Sequence, residues 1–289
     1  MRLLFSLVLI ALVLGTVNAQ SVFYVTHQPS CLEYQYFLGW IDPDTGVMTP
    51  VGPLGRFVRS IVFGDDGVLY GLSMNDLVRI EPDTGATTVV GSLGVQGLRG
   101  LAVAGPGTLW GFHSTQYTYD LYTIDTASGA TTLVGTIDGL VTDGFTLQSL
   151  VTINDVLYGV GWNLFKIDPD NLTIELSGPL GPLVSKVTAA AESGRLWSTM
   201  VDAHGWLNPP QWLGTVDLDT GEFSATSQIF HEVAPFGMAY REGPPPDSPY
   251  APCPPPPDVP TIGGRGAAIL AALILLAAAF LLPRARRLH

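Results

Sequence analysis

Two stretches of the chain, Asp42-Pro-Asp-Thr-Gly46 and Asp217-Leu-Asp-Thr-Gly221, have the D-x-D-x-G spacing with which a loop presents oxygens to a calcium ion. An EF-hand loop also needs further oxygens and a bidentate Glu at its twelfth position, which both stretches lack. The same residue types suit a tight turn, in which Asp accepts amide protons and Gly takes a left-handed backbone, and here they read as turns. A second set consists of imidazoles and rings: His27, His113, His204 and His231, with Tyr117, Tyr119, Phe145, Trp206 and Trp212. Imidazoles ligate metals, and aromatic rings stack on sugars or other flat ligands. No i, i+4 or CxxC spacing joins the histidines, so no metal is expected. From this set His27, Tyr117, Tyr119, Phe145, His204, Trp206 and His231 form a candidate ligand-binding surface. A third set, Asp143, Asp202, His204, His231 and Glu232, has the carboxylates and imidazoles that acid–base catalysis by a hydrolase or lyase requires. G-x-S-x-G, P-loop and HExxH motifs are absent, so no cofactor or nucleophile is expected.

The element that must position these residues is a repeat. Leu121 to Gly135, LYTIDTASGATTLVG, is rewritten from Leu38 (LGWIDPDTGVMTPVG), Leu77 (LVRIEPDTGATTVVG), Leu164 (LFKIDPDNLTIELSG) and Leu213 (LGTVDLDTGEFSATS). Aligned on Asp42, Glu81, Asp125, Asp168 and Asp217, the copies are separated by 39, 44, 43 and 49 residues, the period of four-stranded propeller blades. Each copy follows an aromatic strand, with Tyr24, Tyr70, Trp110, Tyr158 and Trp197 in one register. That strand in turn follows a small-apolar one, such as Ser60-Ile-Val-Phe63 or Gly100-Leu-Ala-Val103. The five aromatics read as packing between blades.

Each blade is therefore predicted as strands A to D from the axis outward. The chain opens on a B strand at Val22 and ends its repeats on an A strand at Gly237 to Tyr240. An all-β, five-bladed β-propeller over residues 20–242, closed by strands from both chain ends, follows. The A–B and C–D turns are short and repeated. The B–C and D–A loops on the opposite face vary, and they carry both the ligand-binding and the acid–base candidates.

Residues 1–19 read as a signal peptide: Arg2, an apolar run from Leu3 to Leu14, and a small-residue approach to Ala19. Between Gln20 and Pro260, eight Lys and Arg face all 25 Asp and Glu, a net charge of −17, which excludes nucleic acid and other anionic polymers as general partners. Residues 243–260 form a proline-dense linker, read as an extended spacer. Gly266 to Leu282 is an uncharged run at the short limit of a membrane span, and the arginines after it place the propeller outside the cytoplasm. Cys31 and Cys253 form the one cysteine pair, and in an oxidising compartment such a pair favours a disulfide. Cys31 falls in the B–C loop of the composite blade and Cys253 just beyond its A strand. A bond between them would close a loop long enough for about 4 to 5 kcal/mol in the chain-entropy model.

Val259-Pro260-Thr261-Ile262, the apolar run and the terminal arginines resemble the IPTL-type C-terminal sorting tails of Gram-negative bacterial surface proteins, relatives of the PEP-CTERM tails. The resemblance covers about the last 30 residues. Gly263-Gly264-Arg265-Gly266 stands where Ser-Glu-Trp-Gly is usual, and this resembles a GlyGly-type tail instead. The resemblance implies a sorting protease as partner, removal of the helix in residues 261–289 and display at the cell surface; a plain single-pass anchor stays open. The functional expectation is a non-enzymatic module that binds an extracellular protein or glycan. A propeller hydrolase or lyase with its site at the channel mouth, and a structural envelope component, are the alternatives.

Overall fold

Each copy of the repeat folds as two antiparallel strands joined by its turn, and all five C–D pairs slip register at the same place. Leu38, Leu77, Leu121, Leu164 and Leu213 pair with Gly52, Gly91, Gly135, Gly178 and Ser227, and the pairing then skips one residue. Such a bulge bends and twists the outer strand, which makes a poor template for pairing with another chain. The computed structural model describes residues 21–27, 35–114, 118–138, 147–180, 184–202, 211–229 and 235–250. The expected signal peptide (1–19), Cys31, Cys253, the end of the linker and the sorting tail with Val259, Pro260, Thr261 and Ile262 lie outside the described residues.

Three strands open the chain: β1 (Ser21–His27), β2 (Phe37–Ile41) and β3 (Met48–Pro53). Four contiguous blades follow. The first holds β4 (Ser60–Phe63), β5 (Leu69–Ser73), β6 (Asp76–Ile80) and β7 (Thr87–Ser92). The second holds β8 (Arg99–Gly105), β9 (Thr108–Ser114), β10 (Thr118–Asp125) and β11 (Thr131–Asp138). Next come β12 (Ser149–Ile153), β13 (Val156–Val160), β14 (Asn163–Asp168) and β15 (Thr173–Pro179), then β16 (Val184–Glu192), β17 (Arg195–Asp202), β18 (Gln211–Val216) and β19 (Phe223–Ile229). The last strand, β20 (Gly237–Glu242), pairs antiparallel with β1, so the fifth sheet runs β20-β1-β2-β3. The all-β, five-bladed β-propeller with a composite closing blade is thus the observed fold, and the inner strands β4, β8, β12, β16 and β20 touch in cyclic order.

Five apolar clusters hold the ring, one between each pair of neighbouring blades. Tyr24, Tyr70, Tyr158 and Trp197 each belong to a different cluster, and Trp110 packs against the remaining one, as expected of inter-blade filling. The bulge glycines make the tightest contacts between blades. A Cβ on Gly52, Gly91 or Gly178 would stand 1.9, 1.9 and 1.8 Å from the carbonyl oxygens of Thr84, Ser128 and Thr220, in the C–D turn of the next blade. The glycine that ends these copies is therefore required by the close approach of two backbones.

Closure is reinforced across the two chain ends. Arg241 of β20 donates to the Tyr24 hydroxyl at 2.8 Å and lies 5.3 Å from the Tyr24 ring and 5.7 Å from that of Phe63. The described start of the linker, up to Tyr250, lies against the closing blade. Ser248 Oγ donates to the Pro50 carbonyl, Tyr250 N–H donates to Ser248 Oγ at 3.0 Å, and the Tyr250 ring meets Phe37 edge-on at 5.3 Å. This docking accompanies a difference among the outer strands: β3 is buried along most of its length, whereas β7 and β15 are largely exposed.

Candidate functional site

The first carboxylate of each D-x-D-x-G stretch is occupied by its own turn. Asp42 Oδ1 accepts from the Asp44 and Thr45 amides at 2.9 and 3.3 Å, and Asp217 Oδ1 accepts from the Asp219 and Thr220 amides and the Thr220 hydroxyl at 3.1, 2.8 and 2.9 Å. Asp125 and Asp168 repeat the pattern with Ser128 and Asn171. These bonds favour the ionised form: the Ser128 hydroxyl lowers Asp125, the Asn171 side chain lowers Asp168 and the Thr220 amide lowers Asp217, each from the ordinary carboxylate value. Gly46, Gly85, Gly129 and Gly221 hold φ of 71°, 73°, 75° and 73° at the turn ends, and Leu172 takes the same left-handed position at 53°. Among the described residues no three His, Cys, Asp or Glu side chains converge on a point that would hold a metal ion.

On the axis, equivalent triplets of the five inner strands enclose a cavity of about 110 Å³. Its wall is aliphatic apart from Phe63, Thr152 and Tyr240, and the Thr152 hydroxyl donates to the Val103 carbonyl at 2.6 Å. This interior has no carboxylate–imidazole pair.

The loop-face mouth of the ring differs. The position just before the inner strand is set by one recurring hydrogen bond: the amides of Arg59, Gln148 and Phe236 donate to Leu72, Val160 and Thr26 carbonyls at 2.9, 2.9 and 2.8 Å. Arg99, at the head of β8, holds the equivalent place in its blade, just as Ser60 Oγ reaches across to the Leu101 amide at 3.0 Å. Two adjacent blades thus present arginines, a third an amide and the closing blade a phenyl ring. Burial, then the nearby Arg99 charge, pull Arg59 below the usual guanidinium value. The group stays cationic at neutral pH. Among the described residues neither arginine has a carboxylate at ion-pair distance, whereas neighbouring Arg56 lies 3.8 Å from Asp76.

Aromatic rings flank this cationic edge. Phe57 stands 5.1 Å from Tyr36 and 5.0 Å from Phe236, and the Arg59 guanidinium lies 5.9 Å from the Phe57 ring. Beside them is a second cavity of about 200 Å³, lined by Phe57, Arg59, Leu72, Met74, Asn75, Gln96, Gly97 and Leu98. The residues come from the D–A loops on either side of the β4–β7 blade, from the end of β5 and from the β5–β6 connection.

The expected ligand-binding residues fare unevenly. His27 is the last residue of β1 and fully buried, paired with Phe37; the ideal Cβ position at Gly39 is 2.6 Å from its Nε2. Tyr119 is also buried, packed edge-on against Phe112 at 5.9 Å, with its hydroxyl accepting from the Leu147 amide at 3.3 Å. Neither offers a side chain to a ligand on the surface, because each closes the core below its loop. Tyr117, Phe145, His204, Trp206 and His231 lie outside the described residues, as do Asp143, Glu232 and the Asp202 side chain. His113 is half-exposed, 3.9 Å from Asp120. Arg59 and Arg99 escaped the sequence reading, although an Arg directly before a small inner strand occurs in two consecutive blades.

No family model and no curated protein matches the chain. Solved structures overlap it in part. The PQQ-bound aldose sugar dehydrogenase of Streptomyces coelicolor aligns at TM-score 0.40 and 12% identity over 60% of this chain and 68% of its own. A chain of the nidogen/laminin complex aligns at 0.46 and 14% over 77% and 81%. TolB of Acinetobacter baumannii aligns at 0.46 and 15% over 73% of this chain, which spans about half, 53%, of TolB.

Proposed function

We propose that the chain is a non-enzymatic binding module that acts outside the cytoplasm and recognises an extracellular protein or glycan through its loop face. The observation that supports this reading is the contrast in side-chain use. On the turn face, Asp42, Asp125, Asp168 and Asp217 are consumed by local hydrogen bonds, whereas at the loop-face mouth Arg59 lines a cavity beside three aromatic rings, with Arg99 at the equivalent place in the next blade. Guanidinium groups and rings on a rigid scaffold are the groups that anchor a partner. The extracytoplasmic setting rests on the signal peptide and tail read from the sequence, and the tail would hold the module at the membrane or deliver it to a sorting protease.

The test is a glycan and protein-partner screen with the full chain and two variants. Phe57→Ala on the loop face is expected to reduce capture of the bound partner at least about tenfold, as for a central aromatic anchor. Asp219→Asn on the turn face is expected to leave capture unchanged. Capture lost with Asp219→Asn and kept with Phe57→Ala would overturn the reading.

A further inference from the structure

We infer that the cavity beside Arg59 binds the carboxylate of a single acidic saccharide unit, of the hexuronate class; this rests on the loop-face binding reading above and names its ligand chemistry. Only eight Lys and Arg lie between Gln20 and Pro260 against 25 acids, yet Arg56, Arg59 and Arg99 fall in one sector of the loop face. Arg56 has Asp76 at 3.8 Å. Arg59 and Arg99 occupy equivalent positions on touching inner strands, a like-charge juxtaposition that a bound anion relieves. A guanidinium presents a planar fork of donors that matches a carboxylate.

The rest of the lining separates a sugar from other anions. Asn75 and Gln96 add two exposed primary amides, which donate to and accept from hydroxyl groups. Phe57 supplies an apolar ring for the C–H face of a pyranose, with Phe236 and Tyr36 fixing it from behind. At about 200 Å³ the cavity is smaller than a typical drug-sized pocket, which suits one ring and not a chain of them. The acidic surface around it disfavours a polyanion, since each further charge on the ligand meets the net −17 of residues 20–260. A peptide carboxylate would satisfy the arginine and leave the ring and paired amides unused.

The experiment titrates the full chain at low ionic strength with sodium glucuronate, glucose, an acetylated Asp-Gly dipeptide and inorganic phosphate, followed by calorimetry or by NMR of the chain. Glucuronate is expected to bind more than about tenfold tighter than the other three, because the wrong probe leaves either the guanidinium or the amides without a partner. Arg59→Gln is expected to weaken glucuronate at least about tenfold, Arg99→Gln to weaken it less, and Arg59→Lys to restore part of the loss without the bidentate geometry. Unfolding midpoints of the variants check that the fold persists. Glucose binding as tightly as glucuronate would sink the carboxylate assignment, and tighter binding of dipeptide or phosphate would sink the saccharide. Absence of glucuronate binding, or binding indifferent to both arginines, overturns the inference altogether. If that happens while Phe57→Ala still abolishes capture in the partner screen, only the ligand class falls; if both fail, the loop-face reading falls with it.

Discussion

On the turn face of the propeller Asp66 accepts from the Tyr70 hydroxyl at 2.8 Å, Asp65 accepts from the Gly107 amide of the next blade at 3.2 Å, and Asp125 accepts twice from Ser128. On the loop face Arg59 and Arg99 adjoin each other, and among the described residues they have no carboxylate partner at ion-pair distance. The Asp cap of the C–D turn recurs at Asp42, Asp125, Asp168 and Asp217 and stabilises the fold; the arginine pair occurs, among the described residues, at one place in the ring and does not. In a repeat protein the groups that recur are explained by the contacts between repeats, and those left unneutralised against the pattern are where binding is built. Three measurements bear on that division.

The largest effect belongs to the repeat itself. Gly178→Ala places a Cβ 1.8 Å from the Thr220 carbonyl oxygen, and neither backbone can move without shifting a whole blade. We expect a loss of about 3 kcal/mol or more, or failure to fold, read from urea unfolding. Met74→Ala, on an exposed loop-face side chain, should stay within about 0.5 kcal/mol of the parent. Equal effects at the two sites would erase the distinction between a closed and an open face.

Arg241 and Arg59 sharpen the same contrast with one residue type. Arg241→Met removes the hydrogen bond to Tyr24 and the guanidinium above two rings at the junction of the chain ends, and should lower stability by about 1 to 2 kcal/mol. Arg59→Gln removes one of two like charges and should not lower it. A drop as large for Arg59 as for Arg241 would make Arg59 a part of the frame.

What was legible in the sequence divides along the same line. Strand identity and turn chemistry followed from local signals, since alternation and Asp-x-x-x-Gly turns are written within one period, and the composite blade followed from counting strands between the two ends of the repeat. The reason for the glycine ending was not legible, because Gly91 meets Ser128 only when neighbouring blades stack. His27 precedes a variable loop and so reads as a ligand-face residue, but β1 runs one pair further and encloses it opposite Phe37. The Arg59–Arg99 edge needed the ring closed before its two halves became neighbours. The contact of Ser248 with Pro50 joins residues far apart in the chain, and proline content carries no signal for it.

The smallest effect is electrostatic and confined to the turn face. Hydrogen bonds from the Ser128 side chain, the Asn171 side chain and the Thr220 amide lower Asp125, Asp168 and Asp217 below their ordinary value in the folded chain. A carboxylate whose folded pKa lies below its unfolded one contributes stability that is complete above the unfolded value and vanishes as pH falls through the folded one. Stability should therefore be level from neutral pH to about pH 5 and decline below about pH 4, as these turns take up protons. Asparagine keeps the oxygen that caps the amides and has no proton to gain. The triple variant Asp125→Asn, Asp168→Asn, Asp217→Asn should thus fold with a shallower acid limb. Because the triple substitution touches only the C–D turns, the difference in slope between parent and variant isolates the turn face, and identical slopes below pH 4 would show that these carboxylates do not act as the caps their hydrogen bonds describe.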